Sequence, residues 1–329
     1  RIQYASTYAQ VSNYWKYFIG QTEQLKKNNI LLKKVGIEQE FAGWITQDPK
    51  RKEKYGNVLK DIEDAYAVLE KYIGIRVYFT ELIYSLGTGR FMLRHAKLYT
   101  SLTDANPDQK IISEEIEKLK PFLDGHFTSI DWNTELELLS AMFSMYAKDV
   151  NKDQHPEEFK TLMAKMNDTY TWKNFVEEAM KNSIFVNRDK YEAFVAAPSA
   201  EAFAKDELFM ITYKLYTNYR DLVFGTEAAA AQAKLDKANR LFIAAMREMY
   251  PEKKFYPNAN STLRLTYGTI QKYAAHDKQY DYYTTIESMM AKEDPSNEEF
   301  IIPARLKELY EKKDYGRYGQ DGTLWINFI

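Results

Sequence analysis

Hydrophobic positions recur at helical spacing from residue 2 to about residue 250 and at alternating spacing beyond it. In "YASTYAQVSNYWKYFIG", residues 4–20, a rotation of ~100° per residue gathers Tyr4, Tyr8, Val11, Trp15, Phe18 and Ile19 on one side. That stripe is as wide as a core helix needs. The other side holds Ser6, Ala9, Asn13, Tyr17 and Gly20, and residues 2–15 carry no charge at all. An outer face is normally marked by Lys and Glu. This second face, small, polar and aromatic, is therefore neither a core stripe nor an ordinary solvated surface. The helix is predicted to run on through "TEQLKKNNILLKKVGIEQEFAGWI" and to stop near "TQDPK", where Pro49 breaks it.

A second long amphipathic stretch, "DIEDAYAVLEKYIGIRVYFTELIYSL", is ended by "GTG" at 87–89, with a short helix from Arg90. Further helices follow: "SEEIEKLKPFL" capped by Ser113, "WNTELELLSAMFSMYAKDV" capped by Asp131, "HPEEFKTLMAKM" and "TWKNFVEEAMKN". "SAEAFAKDELFMITYKLYTNYRDLVF" and "TEAAAAQAKLDKANRLFIAAMREMY" read as an antiparallel pair hinged at Gly225. After "PEKKFYPNAN" the period changes to two: Leu263, Leu265 and Tyr267 alternate with Thr262, Arg264 and Thr266. "YDYYTTI" is a second strand, "PARLKELYEKKDYG" a short helix, and "DG" before "TLWINFI" a hairpin turn. The expected organisation is a helical domain over 1–256 and the first strands of a β-domain over 257–329. The opening "RIQYAS", without Met or signal peptide, and the closing strand, without a polar tail, read as the ends of a piece cut from a longer protein.

Composition narrows the functional classes. Charged residues make up 28 % of the 329 and the net charge is -2, so neither nucleic acid nor an anionic membrane surface is indicated as a partner. No apolar run approaches the ~20 residues of a membrane span. The 26 tyrosines suit a helical body whose rings cover apolar surface while their hydroxyls stay wet. With no cysteine there is no disulfide framework, thiolate nucleophile or cysteine zinc site. His95, His126, His155 and His276 fall in no metal-ligand spacing. His276 beside Asp277 reads as a pair of surface residues whose side chains point apart, and "LGTGRF" as a helix break rather than a phosphate loop. Residue types alone place no catalytic group and no metal or cofactor in this chain.

The two ends carry a resemblance. "YASTYAQVSNYWKYFIGQTEQLK", "NANSTLRLTYGTIQKY", "YDYYTTI" and "FIIPARLKELYEKKDYGRYGQDGTLWINFI" resemble the bacterial dipeptidyl-peptidase 7 and 11 family of serine exopeptidases, along the whole chain. The resemblance implies a chymotrypsin-like double β-barrel with a large helical domain inserted between its halves and capping the cleft. The implied fold class for this chain is mainly α: the helical cap domain followed by the partial start of that β-barrel. The catalytic His and Asp would precede the chain and the nucleophilic Ser would follow it, so the fragment alone is expected to be inactive. The parent is implied to be a periplasmic or cell-surface homodimer without a cofactor, acting on peptides with a free N-terminus.

The same resemblance gives Asn13 a role, binding the substrate's free α-amino group, with Tyr17, one turn on, as a second candidate for lining the cleft. The chemistry is reasonable. A dipeptidase must measure two residues back from the scissile bond, about 7 Å of extended chain, and a fixed acceptor for the ammonium supplies the ruler. Read from pattern alone, Asn13 has an alternative role in bridging neighbouring helices. The alternative for the chain is a helical interaction module whose groove takes a partner helix and which has no enzymatic role.

Overall fold

The computed structural model describes residues 2–255, 261, 263, 265–275 and 278–328. It divides into two compact units, Arg1–Phe255 and Tyr256–Ile329. The fold is mainly α, with small antiparallel sheets confined to the C-terminal end.

The predicted first helix is two helices, α1 (Ile2–Lys27) and α2 (Ile30–Thr46). Asn29 stands between them in the left-handed region at φ 50°, a conformation that Asn tolerates better than most residues with a Cβ. Lys26 and Lys27 close α1 where the negative end of the helix dipole favours cations. The expectation that α1 carries a core stripe is not met within this chain. Every side chain described in α1 from Tyr8 onward is exposed or half-exposed, Trp15 at 63 % and Phe18 at 64 %. The next break falls where Pro49 predicts it. Asp48 accepts from the Lys50 amide at 2.8 Å, and Pro49 opens α3 (Pro49–Tyr55) in the position that needs no amide donor.

The second long stretch is built of α4 (Val58–Leu69), a 3-10 turn (Glu70–Tyr72), α5 (Ile73–Tyr78) and a π-helical run (Phe79–Tyr84). "GTG" does not end it. Leu86 is extended, and Gly87 to Gly89 form the first turn of α6 (Gly87–Arg94). Gly89 is required there, because a Cβ would stand 2.6 Å from the Ile83 carbonyl oxygen.

The remaining helices are α7 (Ala96–Leu102), α8 (Gln109–Leu119), α9 (Leu123–Ser129), α10 (Trp132–Asp149), α11 (Glu157–Met163), α12 (Trp172–Asn182), α13 (Arg188–Ala196), α14 (Ala200–Lys205), α15 (Glu207–Val223) and α16 (Thr226–Met249). Asp108, not Ser113, caps α8; the Ser113 hydroxyl donates back to the Gln109 carbonyl at 2.8 Å. Asp131 caps α10 by accepting from the Thr134 amide at 2.8 Å. Asp206 divides the predicted helix over 199–224 into α14 and α15, because its carboxylate caps α15 from the Phe209 amide.

The expected pairing of α15 with α16 is replaced by an antiparallel pairing of α16 with α4. Tyr72 donates to Glu227 at 2.8 Å, Lys234 to Asp64 at 3.0 Å and Tyr55 to Glu248 at 2.5 Å, one sequence number falling as the other rises. Ala65, Ala231 and Ala238 are buried here and let the two backbones approach. The tyrosines also work differently from the sequence reading. Tyr78 donates to Asp149, Tyr170 to Glu178 and Tyr250 to Glu40, so these rings pack while their hydroxyls tie down carboxylates.

Two cores result. The larger is rich in rings: Phe91, His95, His126, Phe185, Tyr191 and Phe209 form one aromatic set, and Phe143, Tyr146, His155, Phe159, Trp172 and Phe175 another. The smaller joins Phe41 and Ile45 of α2 to Tyr55, Val58, Ala245 and Met246.

In the C-terminal unit β1 (Tyr273–Ala275) pairs antiparallel with β2 (Lys278–Tyr280). A second sheet has the order β3 (Tyr283–Thr285), β5 (Thr323–Phe328), β4 (Gly319–Gln320), with a register shift after Thr284. The β4–β5 turn has positive φ at both Asp321 and Gly322, 52° and 79°, the type I′ geometry that "DG" predicts. Short helices α17 (Ile286–Met290) and α18 (Ala304–Glu311) complete it. The predicted strand around 262–267 does not form among its described residues, and Leu263 is 99 % exposed. Alternation alone does not hold a strand that has no neighbour to pair with.

Candidate functional site

Asn13 and Tyr17 lie four residues apart on α1, hence on one face of the helix. Both are exposed, Tyr17 at 58 %. The Tyr17 hydroxyl accepts from the Gln21 side-chain amide at 2.9 Å, and its ring meets Phe18 edge-on at 5.6 Å. This fixes the ring against the helix while leaving a face free. Tyr17 then lines an open concavity of about 460 Å³ with Lys16, Gly20, Gln21, Gln24 and, across the α1–α2 turn, Asn28. Gly20 leaves open space where a Cβ would stand. Asn13 is one turn toward the N-terminus and does not line that concavity. The structure therefore puts the two candidates on one solvent-facing surface but brings only Tyr17 to a hollow, and Lys16 and Glu23 line that hollow with it.

The remaining titratable candidates are structural. His95 is fully buried; its Nδ1–H donates to the Phe91 carbonyl at 2.8 Å and its Nε2 accepts from the Tyr191 hydroxyl at 2.7 Å. Burial pushes this imidazole down to about 3, so it is neutral at pH 7. His126 donates from Nε2 to the Phe185 carbonyl at 2.7 Å and is pushed by burial to about 4. His155 is buried against Tyr146, with neither ring nitrogen hydrogen-bonded, and burial lowers it too. Among the described residues none of the three is hydrogen-bonded to a serine or threonine hydroxyl. His276 and Asp277 lie outside the described residues. Among the described residues no group of three or more His, Asp or Glu side chains could hold a metal ion, and no helix is long and apolar enough to cross a membrane.

Sequence reading passed over one feature. Thr88 donates its backbone N–H to a buried carboxylate oxygen of Glu135 at 2.8 Å, so α10 supplies the cap for α6. That contact carries Arg90 and Arg94 to a cleft against α9. Their spacing of four was the available signal.

The chain is similar to proteins named as dipeptidyl-peptidases. The chain is 34 % identical over 326 residues to dipeptidyl-peptidase 7 of Phocaeicola vulgatus, covering 97 % of this chain and 43 % of that protein. It is 28 % identical to the Asp/Glu-specific dipeptidyl-peptidase of Flavobacterium psychrophilum, covering 100 % and 45 %. Among solved structures, Porphyromonas endodontalis DPP11 in complex with the dipeptide Arg-Glu superposes with a TM-score of 0.73 at 26 % identity, covering 99 % of this chain and 46 % of that one. The Peptidase S46 family model matches residues 1–329, and the chain belongs to the peptidase S46 family. It spans less than half the length of the curated relatives it matches.

Proposed function

We propose that this chain is the helical cap, with the first strands of a following chymotrypsin-like barrel, of a bacterial serine-type dipeptidyl-peptidase. The parent enzyme releases dipeptides from the free N-terminus of peptides at the periplasm or cell surface, and acts as a homodimer. Its catalytic His, Asp and Ser belong to the part of the protein outside this chain, so this chain alone is inactive. Asn13 accepts a hydrogen bond from the substrate ammonium, and Tyr17 lines the trench through which the peptide lies. The observation that carries this reading is the uncharged, exposed aromatic face of α1 around Asn13, in a chain that aligns throughout with dipeptidyl-peptidases. The concavity beside Tyr17 and Gly20 supports room for a peptide backbone.

An acceptor bonded to an ammonium contributes about 1.5–3 kcal/mol, roughly a tenfold to hundredfold preference for an unblocked N-terminus. In the complete enzyme, Asn13→Ala should raise KM for a free dipeptidyl substrate by about that factor and narrow the gap to its N-acetylated analogue. Unchanged kinetics on both substrates would remove the role assigned to Asn13. Turnover of a fluorogenic dipeptide by this chain alone would remove the assignment of the catalytic groups to the rest of the protein. The rival reading, an interaction module without enzymatic role, accounts for the exposed apolar face but leaves the family membership unexplained.

A further inference from the structure

The cleft between α6 and α9 is a second hollow in the helical unit, independent of α1 and of the function proposed above. It has a volume of about 290 Å³, enough for a small molecule. Phe91, Pro121, Phe122 and Ile130 give it apolar walls, and Gly125 adds no side chain where a Cβ would find open space. Arg90 and Arg94, four residues apart on one face of α6, also line it. Both are exposed, and neither is paired with a carboxylate among the described residues. This is unlike Arg51, Arg188 and Arg220, each of which has an acidic partner. The nearby acids are already engaged: Glu135 with the Thr88 amide, and Asp124 with Arg188 at 2.9 Å. Arg94 is also oriented, since its guanidinium lies 3.7 Å over the Phe122 ring. Stacking on a ring leaves the planar fork of N–H groups free at its edge.

We propose that this cleft binds a small organic oxyanion, a carboxylate or phosphate carried on an apolar body, held between Arg90 and Arg94. A planar guanidinium matches either group with two parallel hydrogen bonds, and the ring-lined wall takes the apolar body. His126, at the wall, is neutral at pH 7 and adds no charge. The two arginines therefore supply the whole attraction.

The test is a titration of this chain with benzoate and, separately, phenyl phosphate, read by amide chemical shifts or calorimetry, with benzamide as the uncharged control. Binding of either anion with shifts at α6 and α9, weakened at least about tenfold by Arg90→Gln and by Arg94→Gln, is the expected result. Which anion binds more tightly assigns the oxyanion. Both arginines are exposed, so circular dichroism should show both variants folded. No saturation by either anion, equal binding of benzamide, or binding that survives both substitutions would overturn the proposal.

Discussion

Acid should unfold the helical unit through its histidines before its carboxylates begin to titrate. His95 and His126 are held neutral in the ring-rich core, at about 3 and about 4, against 6.5 for an unconstrained imidazole. A histidine whose folded value is depressed contributes stability that is complete above its unfolded value and is lost as pH falls through 6.5. At pH 4.5, two units below the unfolded value, each unit costs about 1.4 kcal/mol. Each histidine then removes roughly 2.5 kcal/mol and the pair about 5 kcal/mol, comparable to the whole stability of many domains. Asp206 works in the opposite sense. Burial raises its carboxyl, so falling pH favours its folded form. Glu115, Glu227 and Glu248 are held low by their lysine and tyrosine partners, and their contribution is lost progressively as pH falls through the usual carboxylate range and below it. The window between pH 6.5 and 4.5 therefore belongs to the histidines. Urea unfolding followed by circular dichroism should show about 5 kcal/mol lost across it from this pair, with a further loss from His155, which burial also lowers. His126→Gln, which keeps a donor for the Phe185 carbonyl but cannot titrate, should remove about half of the pair's share. A stability flat within 1 kcal/mol over the window, or an NMR titration placing His95 near 6.5, would refute the reasoning.

Two substitutions test the polar contacts that fix helix ends and pairings. Asp206 accepts from the Ser183 hydroxyl at 2.8 Å and from the Ile184 and Phe209 amides at 2.9 Å, all buried or nearly so. Asp206→Ala should cost about 3 kcal/mol or more, a lost cap plus donors left unsatisfied, and a urea midpoint within error of the parent's would contradict this. Tyr55→Phe keeps the ring in the smaller core and removes only the bond to Glu248. It should cost about 1.5 kcal/mol, and unchanged thermal unfolding would mean that the hydroxyl does not couple α3 to α16.

Helices were legible where local rules decide them. Pro49, Asp131 and the "DG" at 321–322 each act within three or four residues, and the structure follows the sequence there. Where a distant partner decides, the sequence misleads. "GTG" looks like a break because the carboxylate that caps α6 comes from Glu135, 47 residues on. The α15–α16 pairing looked natural from Gly225, but the alanines of α16 fit α4 more closely, and proximity in sequence lost to packing. Asn29 was invisible to apolar periodicity because a single left-handed residue interrupts a helix without changing its composition. The uncharged face carrying Asn13 and Tyr17 was legible from the missing lysines and glutamates. The spacing of Arg90 and Arg94 was legible as well, but the cleft they share with Phe91, Pro121 and Phe122 was not, since it is a property of the folded molecule.

The stripe and the second face of α1 pose one physical problem. A helix in water draws most of its stability from the apolar face it buries, yet Tyr8, Val11, Trp15, Phe18 and Ile19 are all exposed. Covering a side chain of this size contributes about 1.5–3 kcal/mol, so the five together offer roughly 8–15 kcal/mol to whatever surface meets them. Apolar patches of this extent on a folded protein mark an interface. On the proposed reading the covering surface is the catalytic part of the same protein, and the relatives are long enough to supply it, since this chain spans under half of them. Burying the stripe turns Asn13 and Tyr17 to the opposite side of the helix. An uncharged face is what a peptide trench needs there: a lysine at that position would repel the substrate ammonium, and a glutamate would hold it without regard to its geometry. Asparagine offers an oriented carbonyl and no net charge. On the proposed reading, the missing charges of residues 2–15, and not the stripe itself, are what would set a substrate-facing helix apart from an ordinary buried one.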